Sequence, residues 1–245
     1  MRVRFRFTKI GKVRWTSHRD VARMWERALR RTGLPVVYSS GFSPRPKVSF
    51  GLALPTGADS LAEYLDVELA TDALDIVTLP DRLSPALPVG LDVTAAAVVD
   101  DRSGSLQEQV TSCSWEVEAV GAPADELARL VERALIAEHL VITRTRKGAE
   151  VTDDVRANII SAVVAGPSAC VAEGFDSHAI GAVLACELGT QPRGLRPVEF
   201  LRALGPQLSE GHVRRLHQWI ECDGARREPL PAGATDAPHA VERAS

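Results

Sequence analysis

The opening of the chain alternates strictly between basic and apolar residues. Arginines occupy positions 2, 4 and 6, and apolar residues occupy positions 3, 5 and 7. A period of two predicts a β-strand over 2–8, with one basic face and one apolar face. Residues 9–12 then predict a turn, and residues 13–15 predict a short strand.

A helix is predicted next. Ser17 suits the N-cap, and Asp20 completes a pair that resembles a capping box. The helical spacing of apolar residues continues to about Thr32, where Gly33 and Pro35 end it. Further strands are predicted over 36–40, 48–54, 63–69 and 91–99, with a second helix over 73–83. The order β-α-β-β-α-β is that of the split-βαβ, ferredoxin-like unit.

The second half of the chain has a similar order with insertions. Strands are predicted over 113–120, 141–146, 151–155, 169–173, 180–187 and 213–221, and helices over 124–139 and 197–204. The predicted fold class is therefore α+β, with two ferredoxin-like (split β-α-β) domains in tandem at 1–101 and 110–222. Pro, Ala, Gly and charged residues dominate 223–245, which predicts a disordered tail.

Charge is distributed unevenly along the 245 residues. Residues 1–50 contain thirteen Lys and Arg against two acids, a net charge of +11, whereas the rest contains sixteen basic and thirty acidic residues, a net charge of −14. The net charge of −3 for the whole chain hides this difference. Such asymmetry predicts an anionic partner for the basic segment.

The predicted first helix concentrates its arginines on one side. At about 100° per residue, four of them fall within roughly 80° of arc. These are Arg19, Arg23, Arg27 and Arg30, called the arginine ridge below. The opposite side carries Val21, Met24, Trp25, Ala28 and Leu29, and is predicted to face the core. Arg31 follows at the end of the helix.

The ridge has three interpretations. Arginine forks match phosphate oxygens, and each neutralised phosphate releases counterions, so RNA is the favoured ligand. The ridge is alternatively a solvated helix face, or one paired with acids from the second half. It is also compatible with docking onto an acidic protein partner.

The glycine- and proline-containing loop over 41–47 displays further candidate contacts. Arg45 and Lys47 alternate along it, and Phe42 could stack on an unpaired base. Phe42 could equally pack in the core beneath a rigid connection between strands.

His18 begins the predicted helix and is the candidate catalytic residue. The helix N-terminus disfavours imidazolium, which leaves a neutral base that could assist attack by a ribose 2′-hydroxyl with Ser17 or Tyr38. The alternative is a surface histidine after an N-cap, and the sequence provides no complete set of nucleophile, base and orienting group.

Metals, cofactors and membranes are not expected. The four cysteines form no CxxC pair, and His212 and His217 are five residues apart, so no metal site is predicted. No Walker A or GxGxxG sequence occurs, so no nucleotide cofactor is predicted. The N-terminus lacks an apolar signal region, and no apolar run reaches membrane-spanning length, so we expect a cytoplasmic protein.

Several motifs occur in one order over about the first 100 residues. They are Phe7-Thr8-Lys9-x-Gly11, Ser17-His18-x-Asp20-x-x-Arg23, Arg27-Ala28-x-Arg30-Arg31-x-Gly33-Leu34-Pro35, Gly41-Phe42-x-Pro44-x-Pro46-Lys47, Leu54-Pro55-x-Gly57 and Glu63-Tyr64. In these motifs the chain resembles the bacterial radical SAM-linked protein family. Lys147-Gly148, Asp154-Val155-Arg156 and Leu195-Arg196-Pro197 resemble its weaker second-half motifs. Arg19 and Arg45 depart from the family, which usually has Leu and often His there.

The resemblance implies a partner rather than a reaction. Members of that family are encoded beside radical SAM enzymes or fused to them, so a radical SAM enzyme is the implied partner. This chain has no CxxxCxxC motif and cannot ligate the radical SAM cluster itself.

The leading hypothesis is an RNA-binding accessory protein that presents RNA to a radical SAM modification enzyme. The predicted RNA-binding residues are Arg19, Arg23, Arg27, Arg30, Arg31, Phe42, Arg45 and Lys47. The alternatives are a metal-independent RNA-processing or RNA-modifying enzyme that uses His18, and a protein-docking module for the radical SAM partner.

Overall fold

The structure, a computed structural model, describes residues 1–100, 104–146, 148–168, 180–222 and 224–230. The chain divides into two compact units. The first is Met1–Val110 together with the chain from Gln218 onward, and the second is Thr111–His217. Both units are mixed α/β, with few helices and antiparallel strand pairs.

The first unit begins with the predicted β-α-β-β-α-β order. Its elements are β1 (Arg2–Lys9), α1 (His18–Arg31), β2 (Val48–Phe50), β3 (Asp59–Glu68), α2 (Leu79–Leu83), β4 (Val93–Val99) and α3 (Leu106–Gln109). β1 lies between β3 and β4 and is antiparallel to both, and β2 pairs antiparallel with β3.

The core of the first unit lies between this sheet and α1. Trp25 is fully buried, and its ring centroid lies 6.0 Å from that of Phe5 and 5.0 Å from that of Phe7. Val21, Trp25, Ala28 and Leu29 are the buried residues of α1. The predicted apolar face of the helix is therefore confirmed, and its opposite side faces solvent.

Several predicted elements of the first unit have a different form, and the strand predicted over 48–54 is only three residues long, Val48–Phe50. The strand over 13–15 is wrong, because Gly11–Trp15 is a 3₁₀ helix that begins at Gly11 with φ +70°. The strand over 36–40 is reduced to two isolated bridges, Val36 to Leu69 and Tyr38 to Pro46. A proline partner has no N–H to extend a ladder, which keeps this pairing short.

The predicted helix over 73–83 is also shorter than expected. Ile76–Thr78 is a 3₁₀ helix, and α2 begins only at Leu79. Pro80 accounts for the break, because a proline suits the first turn of a helix but not its interior. Asp75 accepts a hydrogen bond from the Val77 N–H and starts the earlier turn.

The second unit contains the elements β5 (Val110–Val120), α4 (Ala124–Ile136), β6 (Val141–Arg146), β7 (Ala149–Asp154), β8 (Ile159–Ser168), β9 (Gly181–Gly189), α5 (Pro197–Leu204) and the start of β10 (Ser209–Cys222). β9 pairs antiparallel with both β5 and β8, and α4 lies against β8 and β9. β6 and β7, predicted as strands over 141–146 and 151–155, form a separate two-stranded hairpin.

β8 is a strand that the sequence analysis missed. Its register shifts at its start, between Ile159 and Ser161, and again in its interior, between Val164 and Gly166, and Pro167 follows. These features interrupt the alternation on which strand prediction depends. The strand predicted over 169–173 lies outside the described residues.

Part of the predicted disordered tail is ordered. Residues 225–227 form β11 (Ala225–Arg227), which pairs antiparallel with the end of β10. The Pro229 carbonyl accepts a hydrogen bond from Arg4 at 2.9 Å, and Leu230 is buried. Composition predicted disorder because this segment is polar, but it is ordered by a local hairpin with the end of β10 and by the distant contact with Arg4. The predicted tail beyond residue 230 lies outside the described residues.

Candidate nucleic-acid interface

The arginines on the basic face of β1 form ion pairs with acids of the same unit. Arg4 is 2% exposed, and its Nε and Nη2 donate to the Asp66 carboxylate at 2.7 and 3.0 Å. Arg2 also donates to Asp66, and Arg6 pairs with Glu228 at 3.3 Å. These three arginines contribute to the +11 charge of the first fifty residues, but their charges are compensated by acids of the same unit.

The arginine ridge has the opposite environment. Arg19, Arg23, Arg27 and Arg30 are all exposed. Arg23 pairs with Asp20 at 3.3 Å, whereas Arg27 and Arg30 each donate an Nε hydrogen bond of 3.3 Å to a carbonyl of their own helix. In the part of the chain that the structure describes, no acid forms an ion pair with Arg19, Arg27 or Arg30.

The N-terminus of α1 has the geometry that its sequence predicts. Asp20 donates its backbone N–H to Ser17 Oγ at 3.2 Å, and the Ser17 hydroxyl donates to the Asp20 carboxylate at 2.7 Å. The Ser17 hydrogen bond, followed by the charge of Arg23, lowers the pKa of Asp20. Local capping therefore fixes where the ridge begins.

The C-terminal end of α1 adds two exposed cations. Arg31 donates to the Ala86 carbonyl at 3.4 Å, and Arg82 donates to the Thr32 carbonyl, also at 3.4 Å. Positive charge is favourable near a helix C-terminus. Arg82 was missed by the sequence analysis, since it lies fifty residues from Thr32 and no local pattern relates them.

The loop over 41–47 is closed at its base by backbone hydrogen bonds. Ser39 donates its N–H to the Arg45 carbonyl, and Lys47 donates to the Val37 carbonyl, both at 2.8 Å. Phe42 is fully exposed, so it does not pack in the core. Arg45 is exposed, whereas Lys47 pairs with Glu68 at 2.8 Å and is partly compensated.

His18 begins α1 and lies against Phe50. Its exposed ring makes an edge-to-face contact with Phe50, with centroids 5.2 Å apart. No hydrogen bond links His18 to Ser17 or Tyr38, all three of which are described. Within the described ranges, no group of three or more His, Cys, Asp or Glu side chains could hold a metal ion.

An open cavity of about 600 Å³ lies beside β3. Its charged lining includes Arg2, Lys47, Asp66 and Glu68. Arg2 pairs with Asp66, and Lys47 pairs with Glu68. Because these charges compensate each other, the cavity is a weaker site for a polyanion than the ridge.

Trp15 is an exposed aromatic residue that the sequence analysis missed. Its side chain is 61% exposed at the end of the 3₁₀ helix, two residues before the N-cap of α1. Gly57 lies directly against its ring, and the guanidinium carbon of Arg14 lies 5.2 Å from the ring centroid. Gly57 belongs to the Leu54-Pro55-x-Gly57 motif. This motif is the sequence signal that could have pointed to the contact with Trp15.

The second unit contains a separate exposed pair of titratable groups. His139 Nδ1 lies 2.6 Å from the Asp154 carboxylate. Asp154 also accepts backbone hydrogen bonds from Arg156 at 3.0 Å and Leu140 at 2.9 Å. These backbone bonds, followed by the bond with His139, lower the pKa of Asp154 to about 2.

None of the helices in the described part of the chain combines the length and apolar character that a membrane span requires. No curated protein matches the chain. Among solved structures, a chain in the crystal structure of a Cbf5-Nop10-Gar1 complex matches at 9% identity and a TM-score of 0.48, covering 88% of this chain and 48% of that one. This chain thus spans about half of that solved chain, and a match at this level supports no functional argument.

A family model describes residues 2–193, a range that includes the ridge, the loop over 41–47 and most of the second unit. That family is recorded as uncharacterised and conserved in bacteria. The chain therefore belongs to the uncharacterised bacterial protein family DUF2344.

Proposed function

We propose that the protein binds RNA through the arginine ridge. The supporting observation is the contrast between two sets of arginines in the same unit. Those on β1 are compensated by Asp66 and Glu228, whereas Arg19, Arg27 and Arg30 on α1 are exposed and form no ion pair with an acid in the described part of the chain. The ridge is thus a concentrated positive surface directed at solvent.

Binding of a polyanion would replace the unfavourable repulsion between these arginines by favourable interactions with phosphates. Each pair of like charges three or four residues apart destabilises a helix by a few tenths of a kcal/mol. Phosphate groups placed between them remove that repulsion, accept forked hydrogen bonds and release their counterions. Arg31 and Arg82 would extend the contact at the helix end, and Arg45 and Phe42 offer a second contact on their loop.

The proposed role is that of an accessory protein that presents RNA to a modification enzyme. The resemblance of the N-terminal motifs to the radical SAM-linked family supports a radical SAM enzyme as its partner. The β-α-β-β-α-β order of the first unit supports a ferredoxin-like assignment, which we extend to the second unit with β6 and β7 as an inserted hairpin.

The test is the salt dependence of RNA binding, measured by fluorescence anisotropy with a short single-stranded RNA. Four phosphate contacts give a slope of log affinity against log salt of about −2.8, or an affinity loss of roughly 50-fold between 50 and 200 mM salt. Arg27→Gln with Arg30→Gln removes two contacts. We expect the slope to change by about 1.4 and the affinity at 100 mM salt to fall about 25-fold.

The matched control is Arg129→Gln with Arg133→Gln on α4. Both of these arginines are exposed on a helix, and Arg129 is paired with Asp125 at 3.0 Å. The control variant should retain the wild-type slope. Equal losses in the two double variants, or no RNA binding by the wild type, would reject the ridge as an RNA site. The second outcome would favour docking onto an acidic protein partner.

A further inference from the structure

Trp15 is held in a defined position although most of its surface is exposed. A Cβ atom built on Gly57 would lie 2.7 Å from Cζ3 of the indole, closer than atoms approach in real structures. The ring therefore occupies space that is open only because residue 57 has no side chain. Gly57 also has φ +92° and donates its N–H to the Arg14 carbonyl at 2.9 Å.

The backbone on both sides of Trp15 is fixed by a buried lysine. Lys9 is 3% exposed, and its ammonium donates to the carbonyls of Arg14 at 3.1 Å and Thr16 at 2.9 Å. Two hydrogen bonds that flank one residue restrict its backbone, and Gly57 restricts its ring. The Trp15 side chain therefore loses little conformational entropy when a ligand binds. A side chain that is already ordered in the free protein contributes more to affinity.

Trp15 also lies at the start of the arginine ridge. Ser17 caps α1 two residues later, and Arg19 is in the first turn. From Arg19 to Arg30 the helix rises by about 16 Å, the length of about five stacked nucleotides of one strand. A strand whose phosphates follow the ridge would therefore bring a terminal or unpaired base near Trp15.

We propose that Trp15 is a stacking platform for an unpaired base, which makes the ligand of the ridge single-stranded RNA. This inference rests on the proposed RNA binding and specifies its substrate class. An aromatic face accepts any base by stacking, whereas a base inside a duplex cannot reach it. The guanidinium carbon of Arg14 lies over the ring, 5.2 Å from its centroid, and adds positive charge at the stacking site.

The test compares wild type with Trp15→Leu on a single-stranded RNA octamer and on a duplex of the same sequence. The substitution removes the aromatic face without changing charge. We expect the affinity for the single strand to fall about tenfold, with the salt slope and the duplex affinity unchanged. Trp15→Phe should restore much of the affinity, because a smaller aromatic face still stacks.

Acrylamide quenching of tryptophan fluorescence gives a second measurement on the unmodified protein. Trp25 and Trp115 are buried and Trp219 is half-buried, so Trp15 contributes most of the accessible fluorescence. Single-stranded RNA should protect this fluorescence component from acrylamide quenching. An RNA octamer with an abasic terminal nucleotide near Trp15 should protect it less. The loss of this component in Trp15→Leu identifies it. Gly57→Ala should displace the ring and weaken single-strand binding with Trp15 still present.

The failure of this inference is distinguishable from failure of the proposed function. Ridge-dependent binding with equal affinities of wild type and Trp15→Leu for the single strand overturns the platform and leaves RNA binding intact. Unchanged acrylamide quenching on saturation with single-stranded RNA overturns it independently, even if a variant fails to fold. Absence of any RNA binding overturns both.

Discussion

Asp66 is the residue on which the internal compensation of the basic strand depends. Its side chain is 3% exposed and accepts hydrogen bonds from Arg2 and from two nitrogens of Arg4. Asp66→Asn keeps the shape of the side chain but removes its charge, so the buried Arg4 loses its counter-charge. Leaving a buried charge uncompensated costs about 3 to 5 kcal/mol. We expect the free energy of unfolding of the first unit to fall by that amount.

The matched control is Glu68→Gln, two residues along the same strand. Glu68 pairs with Lys47 at 2.8 Å, but both side chains are 46% exposed. Solvent screens such a pair, so its loss should cost less than about 1 kcal/mol. The two substitutions make the same chemical change on one strand and differ in burial.

The assay is urea denaturation followed by tryptophan fluorescence in a Trp115→Phe background. The remaining tryptophans, Trp15, Trp25 and Trp219, then all belong to the first unit. With an m value of about 2 kcal/mol/M, Asp66→Asn should lower the midpoint by about 1.5 M or more, and Glu68→Gln by less than about 0.5 M. Equal shifts for the two variants would refute the reasoning, because burial would then not decide the cost.

Two further predictions concern the second unit. The pKa of Asp154 is lowered to about 2 from its usual 3.8, so its contribution to stability is present above pH 4 and is lost as the pH falls towards 2. Asp154→Asn should reduce the pH dependence of stability in that window, as measured by acid titration of the unfolding midpoint. Burial raises the pKa of Cys186 to about 12, so in a Cys170→Ser background a thiol reagent at pH 8 should modify Cys222 well before Cys186. Rapid modification of Cys186 in the native protein would contradict its burial.

The helix that carries the ridge could be predicted from sequence because its signals are local. Ser17 and Asp20 fix its start within one turn, and Gly33 with φ +65° follows its end. A helix period also determines which residues share a face without any knowledge of what covers that face. The exposed side of α1 and its buried side follow from this, and so does the location of the ridge.

Local pattern failed where the backbone geometry depends on special residues or on partners. The segment over 13–15 alternates like a strand but is a 3₁₀ helix, fixed by Lys9 and by a hydrogen bond from the Gly11 N–H to Asp59. Trp15 was missed for that reason, and the position of its ring depends on Gly57, forty-two residues later. The sequence left two interpretations of Phe42, exposure for base stacking or packing in the core. A loop sequence does not specify whether its aromatic residue is covered.

The sequence by itself determined the concentration of positive charge, the amphipathic helix and the element order of the first unit. Only the tertiary structure decided which arginines are available to a ligand. The arginines of β1 and α1 look alike in sequence. Asp66 and Glu228, distant in sequence, pair with the arginines of β1, whereas the ridge side of α1 is exposed to solvent. The physical reason is that local periodicity specifies the faces of an element, while the long-range packing of the chain determines whether a counter-charge or water lies against each face.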